Sequence, residues 1–387
     1  MALAKQMKEN SYFEAKAAAE AAAKQGTYFF KTGKWIVDNQ EGWTLALLAL
    51  IHGYDRFFAG GTSSFVHLQH RIPGDSEGRY YRGSKDVYFI LHWTVVFTYI
   101  RVIVMSRLLE PFARWYGVKS AHKLTRFGEQ GWQAIYYTIS NSVGLYVMYN
   151  GPHWMNSRSF WEGYPEGHRQ MSALMKTYYL VQMGFWFQQI FVLLIEEHRK
   201  DFVPMLTHHI ITCNLLGWSL YMNFTRIGNA ILCCMDLSDI FLPSTKCLRY
   251  LKMEKPAVTG FIIFLLSWIY TRHYLYIKIM LSIIYESQQY ISNDMWDPAK
   301  GAYYNANVKL AFTILLGVLQ LLLIYWLVLL LRIVYSFAFL GNLEDNRSDS
   351  EDDGDNQEDV CAQNSGNMDG DGNNNRKRTL ILKKKAE

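Results

Sequence analysis

The sequence is short of the features that would mark a disulfide-stapled, metal-bound or nucleic-acid-binding protein. Its five cysteines, Cys213, Cys233, Cys234, Cys247 and Cys361, form no CxxC pair and no zinc-ligand spacing, so neither a disulfide framework nor a structural zinc is expected. Four of them lie inside apolar segments, where a free thiol behaves as a small hydrophobe. A cleavable signal peptide is missing too: Met1 to Gly26 is a helix former rich in Ala, Lys and Glu, without an apolar h-region, and is expected to stay on the protein in the cytosol. Nor is there a basic face for nucleic acid, because the net charge of +5 is spread over short Lys and Arg clusters between apolar stretches.

What the sequence has in excess is apolar surface. Half of the residues are hydrophobic and 16% are aromatic, above ordinary soluble usage. The mean hydropathy near zero conceals this, because polar residues crowd into the two ends, roughly 1–41 and 340–387. About 20 apolar residues span a bilayer as a helix. By that ruler the candidate spans are roughly 43–60, 87–106, 131–149, 172–195, 204–223, 227–248, 257–283 and 308–338. The predicted fold class is therefore all-α, a polytopic transmembrane helix bundle of about eight spans. Its parts are a cytosolic N-terminal segment (1–42), two N-terminal spans with their loop (43–109), a six-span catalytic domain (110–340) and a disordered acidic cytosolic tail (341–387).

Charge asymmetry in the loops orients the bundle. Arg107, Arg114, Lys119, Lys123 and Arg126 follow the second span, and Arg249, Lys252 and Lys255 follow the sixth, whereas the loop from about 284 to 307 has only Lys300. Basic loops face the cytosol, which with eight crossings puts both termini there. The loop from Gly60 to Asp86, with Arg71, Arg79, Arg82 and Lys85, dissents. In the tail, Ser348 and Ser350 each precede an acidic residue by three positions, Glu351 and Asp353, the pattern acidophilic kinases read; an unmodified solvating tail is the alternative. Lys384 and Lys385 match the dilysine retrieval signal of endoplasmic-reticulum membrane proteins, which works from the cytosol.

Ionisable groups at membrane depth are costly and mark functional sites by default. His208 and His209 sit side by side in the fifth span; Asp236 and Asp239 lie in the sixth and share a helical face with Lys246, with Pro243 kinking the helix between the last two. Adjacent histidines point about 100° apart on a helix, so the two should have different jobs. Three readings stay open. The histidines and an Asp239–Lys246 ion pair could serve packing alone. An imidazole oriented by a carboxylate could deprotonate an amine or hydroxyl, or attack a thioester to give an acyl-imidazole. A histidine metal site of the membrane hydroxylase kind needs more ligands than His208 and His209, and the other HxxH, His67 and His70, lies near the opposite side, so no metal is expected.

The stretch from His208 to Lys246, with Thr225-Arg-Ile-Gly-Asn-Ala-Ile231 and Met235-Asp-Leu-Ser-Asp-Ile240, resembles the signature of the ceramide synthases, the longevity-assurance group of the TLC-domain family, in its fungal branch. The resemblance extends to Arg126-Phe-Gly-Glu-Gln-Gly-Trp132, Arg199-Lys-Asp-Phe202, Trp268-Ile-Tyr-Thr-Arg-His-Tyr274 and the acidic tail, covering about 110–340. It implies N-acylation of a sphingoid base, sphinganine or phytosphingosine, by a fatty acyl-CoA, giving dihydroceramide or phytoceramide, with no cofactor. His208, His209, Asp236 and Asp239 match the family's essential residues. Lys246, Arg199 and Lys200 are candidates for docking CoA phosphates, and Arg272, His273 and Trp268 for lining the substrate cavity. The loop at about Glu286 to Asn307 corresponds to the family's acyl-chain-selecting loop, while Arg226, Cys233 and Pro243 depart from many fungal relatives and are given no role. The resemblance also implies a small single-span accessory subunit, a homodimer and residence in the endoplasmic-reticulum membrane; a non-catalytic lipid-binding or lipid-sensing TLC protein is the alternative. Replacing His208 or His209 by Ala is expected to abolish N-acylation while the protein still folds; normal turnover in either variant would remove that residue from the mechanism.

Overall fold

The computed structural model describes residues 33, 35–196, 201–292 and 294–340, with side chains up to 336. Arg199, Lys200, the tail serines Ser348 and Ser350, and the dilysine at Lys384 and Lys385 lie outside them. Eight helices carry the described chain: α1 (Gln40–Phe57), α2 (Asp86–Val104), α3 (Ala121–Tyr149), α4 (Ala173–Ile195), α5 (Phe202–Tyr221), α6 (Thr225–Tyr250), α7 (Glu254–Trp268) and α8 (Ala306–Leu340). Past Val104, α2 continues through a π turn, Met105–Leu109, into a short helix, Glu110–Trp115. Similarly α7 runs on to Tyr290 through two π-helical stretches, Ile269–Leu275 and Ser282–Glu286.

Each candidate span falls on one of these helices, but among the described residues only four stretches are long and apolar enough to cross a membrane by length and composition: Asp86–Trp115, Ala173–Ile195, Thr225–Tyr250 and Ala306–Ser336. Polar side chains dilute the apolar character of the others. Gln130, Ser140 and Asn141 are buried in α3, the histidines sit in α5, and α7 carries Arg272, His273 and Lys278.

Six helices close into a ring in the spatial order α3, α6, α7, α8, α5, α4, and α1 and α2 pack outside it, α2 directly on α4. Leu310, Ile314, Leu321 and Tyr335 of α8 are exposed on the outside, as a lipid-facing surface requires, whereas Leu316, Leu323 and Leu330 are buried inward. Close approach of α2 to α4 depends on Gly184. A Cβ there would lie 2.8 Å from Trp93 Cβ and 3.1 Å from the Ile90 carbonyl oxygen. Local signals set the helix starts. Ser172 Oγ accepts from the Met175 amide (3.2 Å) to cap α4, and Asn305 Oδ1 accepts from the Val308 amide (2.9 Å) to cap α8. Asn223, at φ 63°, takes the left-handed conformation that turns α5 into α6.

One end of the ring is capped by three loops. The all-α expectation omits one element of this cap, an antiparallel hairpin of β1 (Asp294–Asp297) and β2 (Ala302–Asn305) in register Asp294↔Asn305. Asn223 Nδ2 donates to the Gly301 carbonyl (2.9 Å), and Arg82 donates to Tyr303 Oη (2.9 Å) while lying 4.3 Å over the Tyr221 ring. The Tyr303 amide donates to Tyr164 Oη (2.8 Å), a hydroxyl whose burial pushes its pKa up to about 12. Arg226, given no role from sequence, ties the 150–172 loop down by donating to the carbonyls of Ser159 and Gly167. Burial there also holds the His168 pKa down to about 4, so this imidazole is neutral at physiological pH. Lys176 of α4, fully buried, pairs with Asp86 at 2.8 Å and donates to the carbonyls of Gln69 and Tyr81, fastening the 58–85 loop.

Gly184→Ala is expected to force α2 off α4 and destabilise the protein by about 1–3 kcal/mol, seen as a lower apparent Tm in detergent. Gly217→Ala is the control, since the nearest side-chain atom to its Cβ is 3.9 Å away, and should leave Tm nearly unchanged.

Candidate functional site

Inside the ring lies an apolar cavity enclosing about 880 Å³ of space, its open mouth included. The cavity is polar at its two ends and hydrocarbon between them. Toward the uncapped end it is lined by His208 and Thr212 of α5, Asp239 of α6 and Trp186 of α4; toward the cap it is lined by Tyr304 of β2 and Lys309 of α8. Ile227, Ile231, Leu215, Leu316 and Leu319 line its middle.

The adjacent histidines divide as helix geometry requires. His208 faces the cavity, its ring set edge-on between Trp186 (centroids 5.7 Å apart) and Trp326 of α8 (5.4 Å). His209 turns toward α4, packs on the same Trp186 at 5.4 Å and is 5% exposed. The two rings are 5.6 Å apart. Nδ1 of each is buried without a hydrogen-bond partner.

The two aspartates also part company. Residues three apart on a helix differ by about 60° in direction, enough to reach different neighbours. Asp236 is fully buried and faces α3 and α4: its Oδ2 accepts from Ser140 Oγ (2.6 Å) and Gln182 Nε2 (3.0 Å), and Gln182 Oε1 accepts from Tyr136 Oη (2.7 Å). Asp239 faces the cavity and α7, where its Oδ2 pairs with Arg272 at 2.7 Å. Arg272 also donates to the Met235 carbonyl (2.9 Å) and lies 3.8 Å over the Trp268 ring. The expected contact of Asp236 or Asp239 with His208 or His209 is therefore not seen among the described residues; each of these aspartates takes another donor. A guanidinium one helix away and an amide on α4 match the carboxylates better than two rings held by tryptophans.

Of the candidate lining residues, Arg272 and Trp268 join the site through Asp239, whereas His273 turns to α8, its Nδ1 2.9 Å from Gln320 Nε2. Lys246, half-buried, stands seven residues beyond Asp239 along α6, about 10 Å toward the uncapped end. The arginine lies in the first π-helical stretch of α7, where the widened turn re-aims side chains. Sequence reading missed Gln182, Trp186, Trp326 and Lys309. Gln182 had a signal, an amide midway along an apolar helix; the tryptophans had none, being indistinguishable from packing residues. No group of three or more metal-ligating side chains forms among the described residues.

The model of the TLC domain matches residues 126–332. Sphingosine N-acyltransferase lag1 of Schizosaccharomyces pombe is 40% identical over 287 residues, covering 74% of this chain and 72% of the relative. Sphingosine N-acyltransferase lac1 of the same organism is 37% identical over 335 residues, 86% and 85% of the two chains. Ceramide synthase LAG1 of Saccharomyces cerevisiae is 33% identical over 330 residues, 81% and 77%.

Arg272→Met is expected to strand the Asp239 charge and to cost about 3–5 kcal/mol, as breaking one side of a buried pair does. Adding Asp239→Asn should recover part of the loss in Tm. Equal Tm for the single variant and the parent would show that the pair does not hold α6 to α7.

Proposed function

The chain belongs to the TLC-domain family, in its ceramide synthase branch, and we propose that its histidine-lined cavity is where a sphingoid base is N-acylated by a fatty acyl-CoA. The observation that carries the site assignment is His208 and Asp239 at one polar end of an otherwise apolar cavity inside the ring. Long-chain substrates partition into lipid, and such a cavity can hold a hydrocarbon tail while the reacting atoms meet at its polar mouth.

The amine nitrogen of the base adds to the thioester carbonyl carbon. The C–N bond forms, the C–S bond breaks, and the proton lost by the amine passes through His208 to the departing thiolate. In the covalent variant His208 itself attacks the thioester, releases CoA and hands the acyl group to the amine from an acyl-imidazole. Asp239, held by Arg272, lines the same end of the cavity as His208. His209, packed at a tilt on Trp186, is a positioning residue for His208, and Asp236 fixes α6 against α3 and α4. No cofactor takes part in this scheme. Lys246 stands toward the uncapped end, which we assign to the cytosol, and with Arg199 and Lys200, which lie outside the described residues, is the candidate for attracting CoA phosphates. Residence in the endoplasmic-reticulum membrane, an accessory single-span subunit and a homodimer are what the family resemblance leads us to expect.

Purified protein in lipid-containing detergent, supplied with sphinganine and a panel of acyl-CoAs, should form ceramide with stoichiometric release of free thiol. Thiol released without sphinganine would favour the acyl-imidazole route. Absence of ceramide, even with a candidate accessory subunit added, would end the catalytic reading.

A further inference from the structure

Lys309 stands where hydrocarbon would be expected. It is three residues past the start of α8 and lines the capped end of the cavity. Its ammonium donates to the Ile284 carbonyl at 2.6 Å, and among the described residues that is its one hydrogen-bond partner. Beside it, the fully buried Ser287 gives its hydroxyl proton to the Ile283 carbonyl (2.6 Å), so at the 2.8 Å contact with Tyr304 it is the tyrosine that donates. Tyr304 therefore spends its proton away from the cavity. Lys309 is left as the cationic side chain lining the cavity, at the opposite end from His208 and Asp239.

The depth between these ends can be read from the helices. On α5, His208 and Ser219 both line the cavity and are 11 residues apart, about 16 Å at 1.5 Å per residue. On α8, Lys309 is 17 residues from Trp326, whose ring touches His208, about 25 Å. An extended alkyl chain with bonds of about 1.5 Å advances about 1.25 Å per carbon, so this depth takes roughly 13–20 carbons. A longer chain would press its methyl end against the ammonium, stripping water from a charge and offering nothing in return. Bulk alone would not stop it, because a lysine stem is flexible and can swing aside.

We propose that Lys309 is a polar stop that sets the longest acyl chain the cavity accepts, through its charge rather than its size. The proposal rests on the ceramide synthase reading and names a specificity-determining residue for that site. Its test compares the parent with Lys309→Met, Lys309→Gln and Lys309→Arg across saturated acyl-CoAs of increasing length, scored as the ratio of kcat/KM between successive lengths within each variant. That ratio is insensitive to the fraction of folded enzyme. Lys309→Met and Lys309→Gln should extend the limit, raising by roughly tenfold the relative kcat/KM of the first length the parent rejects, because no charge remains to be desolvated. Lys309→Arg should keep the parent limit. The proposal is overturned by unchanged limits in both neutral variants. It is equally overturned if Lys309→Gln, which retains a donor for Ile284, keeps the parent limit while Lys309→Met loses it, or if the variants alter preference for sphingoid-base length instead. Failure of the parent to make ceramide from any acyl-CoA would defeat the underlying reading, and is recognised before any variant is compared.

Discussion

The pairing of Arg272 with Asp239 is the interaction on which the interior of the ring depends. A helix bundle in lipid cannot leave a charge exposed to hydrocarbon, so a carboxylate facing an apolar cavity survives only if a cation is held beside it. Here the cation comes from the π-helical part of α7, braced by the Trp268 face and the Met235 carbonyl. With that charge answered, α6 can present Asp239 to the cavity on one side and Asp236 to α3 and α4 on the other. The ring closes around polar groups without collapsing on them.

Much of this was legible in the chain. The alternation of apolar runs and basic loops predicts the helices, and each of the eight segments became one. The histidine pair and the Asp-x-x-Asp spacing stand out because ionisable groups at membrane depth are rare, and one member of each, His208 and Asp239, lines the cavity. Partnership was not legible. Asp236, Asp239 and Lys246 share a helical face on paper, yet the 60° between the two aspartates is enough for Ser140 and Gln182 to take one and Arg272 the other. Which neighbour lies on which side depends on the ring order α3, α6, α7, and spacing along one helix carries no information about that. Hydropathy fails for a related reason: α4 and α6 carry buried polar groups and still pass, whereas α3, α5 and α7 carry enough polar side chains for their mean to fall although they belong to the same ring.

The hairpin shows another limit. Residues 294–305 carry Asp, Asn, Pro and Gly among aromatics, and read as a loop. Their order comes from outside: Arg82, Tyr164 and Asn223 each reach in from a distant part of the chain to hold the backbone or side chains of this turn. Such long-range fastening places Tyr304 under the cavity, far in sequence from the histidines above it.

The cavity is bounded by parts of the same covalent frame. Its polar mouth and its far wall both ride on α5, α6 and α8, whose rise per residue is fixed by peptide geometry. Bilayers differ in thickness, and transmembrane helices answer by tilting or by drawing lipid toward them. Tilt of the whole bundle leaves the internal distance unaltered. The length of the cavity is thus a property of the protein's own skeleton, the same in a thin membrane as in a thick one.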